Sequence, residues 1–266
     1  KANLTLVAGS TLTAVKTVDG SKAEGDLTLS KLATMTSVKT GSGNDTVTVA
    51  AAVASGETID LGAGNDKLLK GAAGTVATST TTVIDGGAGI DSLDAALVTV
   101  GNAGVFANFE TLSINTTNAD LDLALVNKST FTTIAIDGAS TSTVRNVSTS
   151  QSLAVNAAGT STTLLFKDAA GTADAYTINF AKDAVAAATV VDADTVTIDG
   201  IETVIVNSTG LATTTKNIID LEADAAKSLV ITGDKALDVT FNTAFGTTGT
   251  AVDGKGVSTI DASAAT

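Results

Sequence analysis

The 266-residue sequence contains no cysteine, no proline, no tryptophan and no histidine. Without cysteine there are no disulfides and no thiolate metal sites. Without histidine there is no Ser-His-Asp or Cys-His catalysis and no HExxH zinc site. Carboxylate-only chemistry such as glycoside hydrolysis passes that filter. Its sugar platforms are usually aromatic, however, and only 3% of these residues are aromatic. The expectation is that the protein is not an enzyme. Lys and Arg total 15 against 28 Asp and Glu, and the net charge is -13. The basic residues are scattered, so nucleic acid and anionic membranes are poor partners. An acidic surface suits divalent cations or simple solubility. No stretch approaches the ~20 apolar residues that span a bilayer, so no transmembrane segment is expected. No signal-peptide pattern is visible. The sequence starts at Lys1 rather than Met and reads as a segment of a longer protein.

What is present is β-forming text. Thr and Val alternate in short runs: Thr46-Val47-Thr48-Val49, Thr111-Leu112-Ser113-Ile114, Thr195-Val196-Thr197-Ile198 and Thr203-Val204-Ile205-Val206. β-Branched residues at period two make strands, and the Gly, Asn, Asp and Ser clusters between them make turns. Helical periodicity is confined to Ala181–Ala188 and to a short stretch near Leu221–Lys227. Strand-like segments recur at Leu112, Ile134, Leu153, Val204 and Leu229, the first three 22 and 19 residues apart. A period of about 20 residues suggests the coils of a solenoid. An antiparallel sandwich also yields short strands and turns and stays open as the alternative. The expected fold class is all-β: a parallel β-roll or β-helix solenoid with few short helices.

One motif carries chemistry. Gly41-Ser42-Gly43-Asn44-Asp45-Thr46-Val47, Gly62-Ala63-Gly64-Asn65-Asp66-Lys67-Leu68 and Gly86-Gly87-Ala88-Gly89-Ile90-Asp91-Ser92-Leu93 share G-x-G-x-D-x-(apolar). Glycine permits a tight turn that aims carbonyls at an ion, and the Asp adds a carboxylate. Calcium takes roughly six to eight oxygens. One turn offers too few, so stacked turns must share an ion. The three Asp residues lie 21 and 25 residues apart. The return sides, Ala50–Asp60 and Gly71–Thr82, are long enough to bulge without breaking such a stack. Asp26 marks a candidate degenerate turn before the first. Asp60 and Asp85 sit just ahead of their turns and are placed to add a ligand or a turn hydrogen bond. Taken singly, each turn is also an ordinary hairpin signal, since Asn and Asp stabilise turns by themselves. Repetition favours the ion. The candidate calcium ligands are Gly41, Gly43, Asp45, Asp60, Gly62, Gly64, Asp66, Asp85, Gly87, Gly89 and Asp91. Asp120 with Asp122, and Asp192 with Asp194 just ahead of a strand, read as solvated charges, and Asp234 follows Gly233 in a turn.

These three segments resemble the RTX (repeats-in-toxin) nonapeptide, G-G-x-G-x-D-x-U-x. Only the third copy has the double glycine; Thr40 and Leu61 replace it in the first two. Phe109-Glu110-Thr111-Leu112 and Ile201-Glu202-Thr203-Val204, with Ser258-Thr259-Ile260-Asp261-Ala262-Ser263, resemble phrases of Gram-negative S-layer proteins. That resemblance implies type I secretion, a cell-surface location and Ca2+-driven folding. It also implies self-assembly into a two-dimensional lattice, with cell-surface polysaccharide as a candidate anchor. It divides the chain into a leading β segment at 1–36, a calcium β-roll at 37–100 and a β-rich S-layer core at 101–266. An RTX-type adhesin, or the calcium-dependent tail of a secreted enzyme, is the alternative.

Overall fold

The computed structural model describes residues 3–6, 14–115, 118–180, 189–242, 245–246 and 259–266. It is all-β, with parallel strands stacked as a β-solenoid of about ten turns and almost no helix. The solenoid, not the sandwich, is the fold. The chain forms two compact units, Lys1–Ser113 with Ala124–Phe131 and Ile114–Leu123 with Thr132–Thr266.

The strands of the first unit are β1 (Leu4–Leu6), β2 (Thr17–Asp19), β3 (Leu27–Lys31), β4 (Ser37–Lys39), β5 (Thr46–Val49), β6 (Thr58–Asp60), β7 (Lys67–Lys70), β8 (Val83–Asp85), β9 (Ser92–Asp94), β10 (Phe106–Ala107) and β11 (Thr111–Ile114). Odd strands pair in parallel with the next odd strand from β1 to β11. Even strands pair likewise from β2 to β10. Each coil thus contributes one strand to each of two sheets. Alternation explains the core. In β5, Val47 and Val49 point inward and are buried, while Thr46 and Thr48 face outward. Register stacks like on like: Leu29, Val47, Leu68, Leu93 and Leu112 form one apolar column. Val38, Ile59, Ile84 and Phe106 form the facing one. Each such side chain contributes roughly 1.5–3 kcal/mol by leaving water. The long return sides do not break the stack, because Val53 bridges Val76 between them. A buried ion pair also enters this core. Lys31 is 1% exposed and pairs with Glu57 at 2.6 Å.

The strands of the second unit are β12 (Asn118–Asp122), β13 (Thr133–Ile136), β14 (Thr141–Val147), β15 (Ser152–Val155), β16 (Ser161–Phe166), β17 (Ala175–Phe180), β18 (Val190–Thr197), β19 (Thr203–Asn207), β20 (Lys216–Glu222), β21 (Ser228–Gly233), β22 (Ala236–Phe241) and β23 (Thr259–Ala265). They follow the same scheme, odd with odd and even with even. The recurring segments at Ile134, Leu153, Val204 and Leu229 are odd strands of this stack, with β17 between the second and third of them. Bulges in β14 and β18 centre on Asn146 and on Asp194, both at positive φ. Asp192 and Asp194 therefore lie within a strand rather than before one.

The helix expected near Leu221–Lys227 is absent. Leu221 and Glu222 finish β20, and a turn follows, closed by Ala226 N–H donating to Ala223 O at 3.2 Å. Asn217, Ile219, Leu221 and Ala223 are all buried, which is period two, not the helical period. The other helical expectation, Ala181–Ala188, lies outside the described residues. No described helix is long and apolar enough to cross a membrane.

Candidate functional site

The three glycine turns stack directly on one another. Gly41, Gly62 and Gly87 form one column, and Gly43, Gly64 and Gly89 another, which Gly25 extends by one coil. A Cβ on Gly62, Gly64, Gly87 or Gly89 would fall inside the carbonyl of the coil below it. The same four glycines have positive φ, between 88° and 148°. Both the backbone conformation and the close approach therefore require glycine there.

Two columns of polar side chains run through these turns in opposite senses. The outer column reaches forward along the chain. Asn3 Oδ1 accepts from Asp26 N–H at 3.1 Å, and Asp26 Oδ1 accepts from Asn44 N–H at 2.8 Å. Asn44 Oδ1 accepts from Asn65 N–H at 2.8 Å, and Asn65 Oδ1 accepts from Ile90 N–H at 3.0 Å. The inner column reaches back. Asp45 Oδ1 accepts from Leu27 N–H at 2.7 Å, and Asp66 Oδ1 from Asp45 N–H at 2.6 Å. Asp91 Oδ1 accepts from Asp66 N–H at 2.8 Å, and Glu110 Oε2 from Asp91 N–H at 2.9 Å. Asp26 thus belongs to the outer column, aligned with Asn44. It is not the first member of the Asp45 column, whose place in that coil is taken by Leu27.

Asp45, Asp66 and Asp91 are at most 1% exposed. Their second oxygens differ. Asp45 Oδ2 accepts from Gly41 N–H at 3.0 Å, which closes the first turn on itself. Asp66 Oδ2 and Asp91 Oδ2 are buried without a partner. In the third turn the cause is visible: Gly87 N–H, which matches Gly41 N–H, donates at 3.0 Å to Asp85 Oδ1 instead. Burial pushes the Asp66 carboxyl up to about 7, against a backbone hydrogen bond that lowers it and with Asp91 and Asp45 raising it further. Burial likewise pushes Asp91 up to about 6, with Glu110 and Asp85 adding to the rise. In both, the charged form is disfavoured unless a proton or a cation partners it.

Asp85 also accepts from Asn108 Nδ2 at 2.8 Å, so its role here is the turn hydrogen bond. Asp60 is half exposed and lies 3.5 Å from Lys39 on the outer face of β6 and β4. Gly41 O and Gly62 O accept from Ala63 N–H and Ala88 N–H at 2.8 and 2.9 Å. Each carbonyl retains a second lone pair for a cation. Among the described residues no three acidic side chains meet at one point. An ion would therefore draw on turn carbonyls as well as on Asp66 and Asp91. All available donors are hard oxygens, and with the two orphaned carboxylate oxygens that set fits calcium. Elsewhere, Asp120 pairs with Arg145, Asp122 accepts from Asn146 Nδ2, and Asp234 pairs with Lys235.

Three participants were not singled out by motif. Asn44 and Asn65 carry the outer column, and their signal is an Asn directly before the Asp in two copies. Glu110 continues the inner column. Its counterpart in the second unit is Glu202, whose Oε2 accepts from Asp174 N–H at 2.9 Å. The two Glu-Thr strand openers are thus the same structural position as the motif aspartates. The sequence matches no protein-family model. No curated protein matches it either.

Proposed function

We propose that the protein is a calcium-stabilised structural subunit of a bacterial surface layer, secreted and folded outside the cell, and not an enzyme. The observation that carries the calcium reading is the pair of buried, unpartnered oxygens on Asp66 and Asp91, in a column of carboxylates held between stacked glycine turns. A divalent cation there offsets part of the column's charge and gives an orphaned oxygen its partner. Binding energy released on folding then becomes folding energy. Where calcium is scarce the chain lacks that contribution, and where it is abundant the coils close. The solenoid repeats one shape along the chain, which suits an extended scaffold. The resemblance to S-layer proteins supplies the lattice, and cell-surface polysaccharide remains the candidate anchor.

The test is thermal unfolding followed by circular dichroism, in chelator, in calcium and in magnesium. Calcium should raise the melting temperature and the β signal, magnesium should do so far less, and Asp66→Ala should blunt the response. Calcium-loaded samples should also form sheets visible by electron microscopy. A protein equally stable in chelator and calcium would remove the metal from the reading. Calcium-stabilised protein that stays monomeric would favour the adhesin.

A further inference from the structure

The residues two places before Gly41, Gly62 and Gly87 are in register from coil to coil: Lys39 pairs with Asp60, and Asp60 with Asp85. The turns that follow them take two forms. After Lys39 the turn is closed. Gly41 N–H donates to Asp45 Oδ2 at 3.0 Å, and Gly41 lies outside the left-handed region. After Asp60 and Asp85 the turn is open. Gly62 and Gly87 have φ of 88° and 97°, and Asp66 Oδ2 and Asp91 Oδ2 are buried without a partner. A lysine side chain carries donors and no acceptor, so the Lys39 side chain cannot compete for Gly41 N–H. The Asp85 side chain competes for the matching group. Its Oδ1 accepts from Gly87 N–H at 3.0 Å, and Asn108 Nδ2, donating to the same oxygen at 2.8 Å, anchors it there.

We propose that Asp85 is a positioning residue for calcium: by holding Gly87 N–H it keeps Asp91 Oδ2 open toward an ion shared by the second and third turns. This rests on the calcium reading above. Asp85 acts through the turn rather than on the ion. The Asp91 side chain packs against the start of its turn, where a Cβ on Gly86 would lie 2.9 Å from Asp91 Cβ. Once released, Gly87 N–H is therefore placed to close the third turn on Asp91 as Gly41 N–H closes the first on Asp45. A closed turn satisfies its own carboxylate and offers less to a cation. The residue ahead of the glycines, which the G-x-G-x-D template does not contain, thus selects the form of the turn.

The test is calcium titration of the whole chain by calorimetry, with melting curves in chelator, comparing Asp85→Ala and Asp85→Asn with the parent. Asparagine keeps an acceptor for Gly87 N–H and removes the charge; alanine removes both. Asp85→Ala should weaken calcium binding about tenfold or more, the range seen when a group supporting a metal ligand is removed. In chelator it should melt no lower than the parent, because Asp91 Oδ2 gains the freed N–H. Asp85→Asn should keep most of the parent's affinity. Parent-like calcium binding in Asp85→Ala, with a lower melting temperature in chelator, would make Asp85 an ordinary turn residue and leave the calcium reading standing. Equal losses of affinity in the Ala and Asn variants would also overturn the proposal, since the charge and not the hydrogen bond would then matter. A parent chain that takes up no calcium would overturn this proposal and the calcium reading together.

Discussion

Asp66 and Asp91 each commit one carboxylate oxygen to a backbone N–H of the preceding coil and bury the other without a partner. The sign of the resulting pH dependence follows. Their folded-state values are raised, to about 7 and about 6, above the ordinary 3.8. The stability they allow is fully present below the ordinary value and is lost as pH rises through the raised ones. In chelator the protein should therefore melt at a higher temperature at pH 5 than at pH 8. On the proposed calcium reading the ion competes with the proton for the same oxygens, so the calcium-induced rise in melting temperature should be larger at pH 8. Asp19, Asp120, Asp168 and Asp261 are lowered by their hydrogen bonds, the first three also by neighbouring cations, and oppose this trend only below about pH 4. Melting curves across pH 5–8, with and without calcium, check both statements.

At the scale of the element, the glycine turn has a packing role that does not depend on the proposed calcium. Gly64 has φ of 135°, and a side chain on it would strike Gly43 O. Gly64→Ala should cost roughly 2 kcal/mol or more in denaturant unfolding, in chelator as well as in calcium. Loss confined to calcium-loaded protein would mean that the turn serves the ion alone. The turns were legible in the sequence because glycine, Asn and Asp are residues whose backbone behaviour is local. So was β5, where Thr and Val alternate without interruption. The columns were not legible. Coil lengths vary, with 18, 21, 25 and 19 residues separating hydrogen-bonded partners along the inner column. No fixed period aligns Glu110 with Asp91, and Asp26 falls on the Asn position by one residue. The stretch from Leu221 reads as helical from sequence alone because Leu221, Ala223, Ala225 and Ala226 are strong helix formers. Its inward alternation shows only once β20 is paired with β18 and β22.

At the scale of the whole molecule, the two units share one architecture and differ in how they balance charge in the inner column. The first unit stacks carboxylates without a lysine in that column, and the second places Lys227 beside Glu202. Calcium should therefore act on the first unit and leave the second largely untouched. Amide hydrogen exchange followed by mass spectrometry, in calcium and in chelator, reads both units in one sample. Slower exchange in calcium across the coils from Asp45 to Glu110, with little change from Thr133 to Gly233, is the result the calcium column requires. Identical exchange in the two conditions, or slowing confined to the second unit, would contradict it.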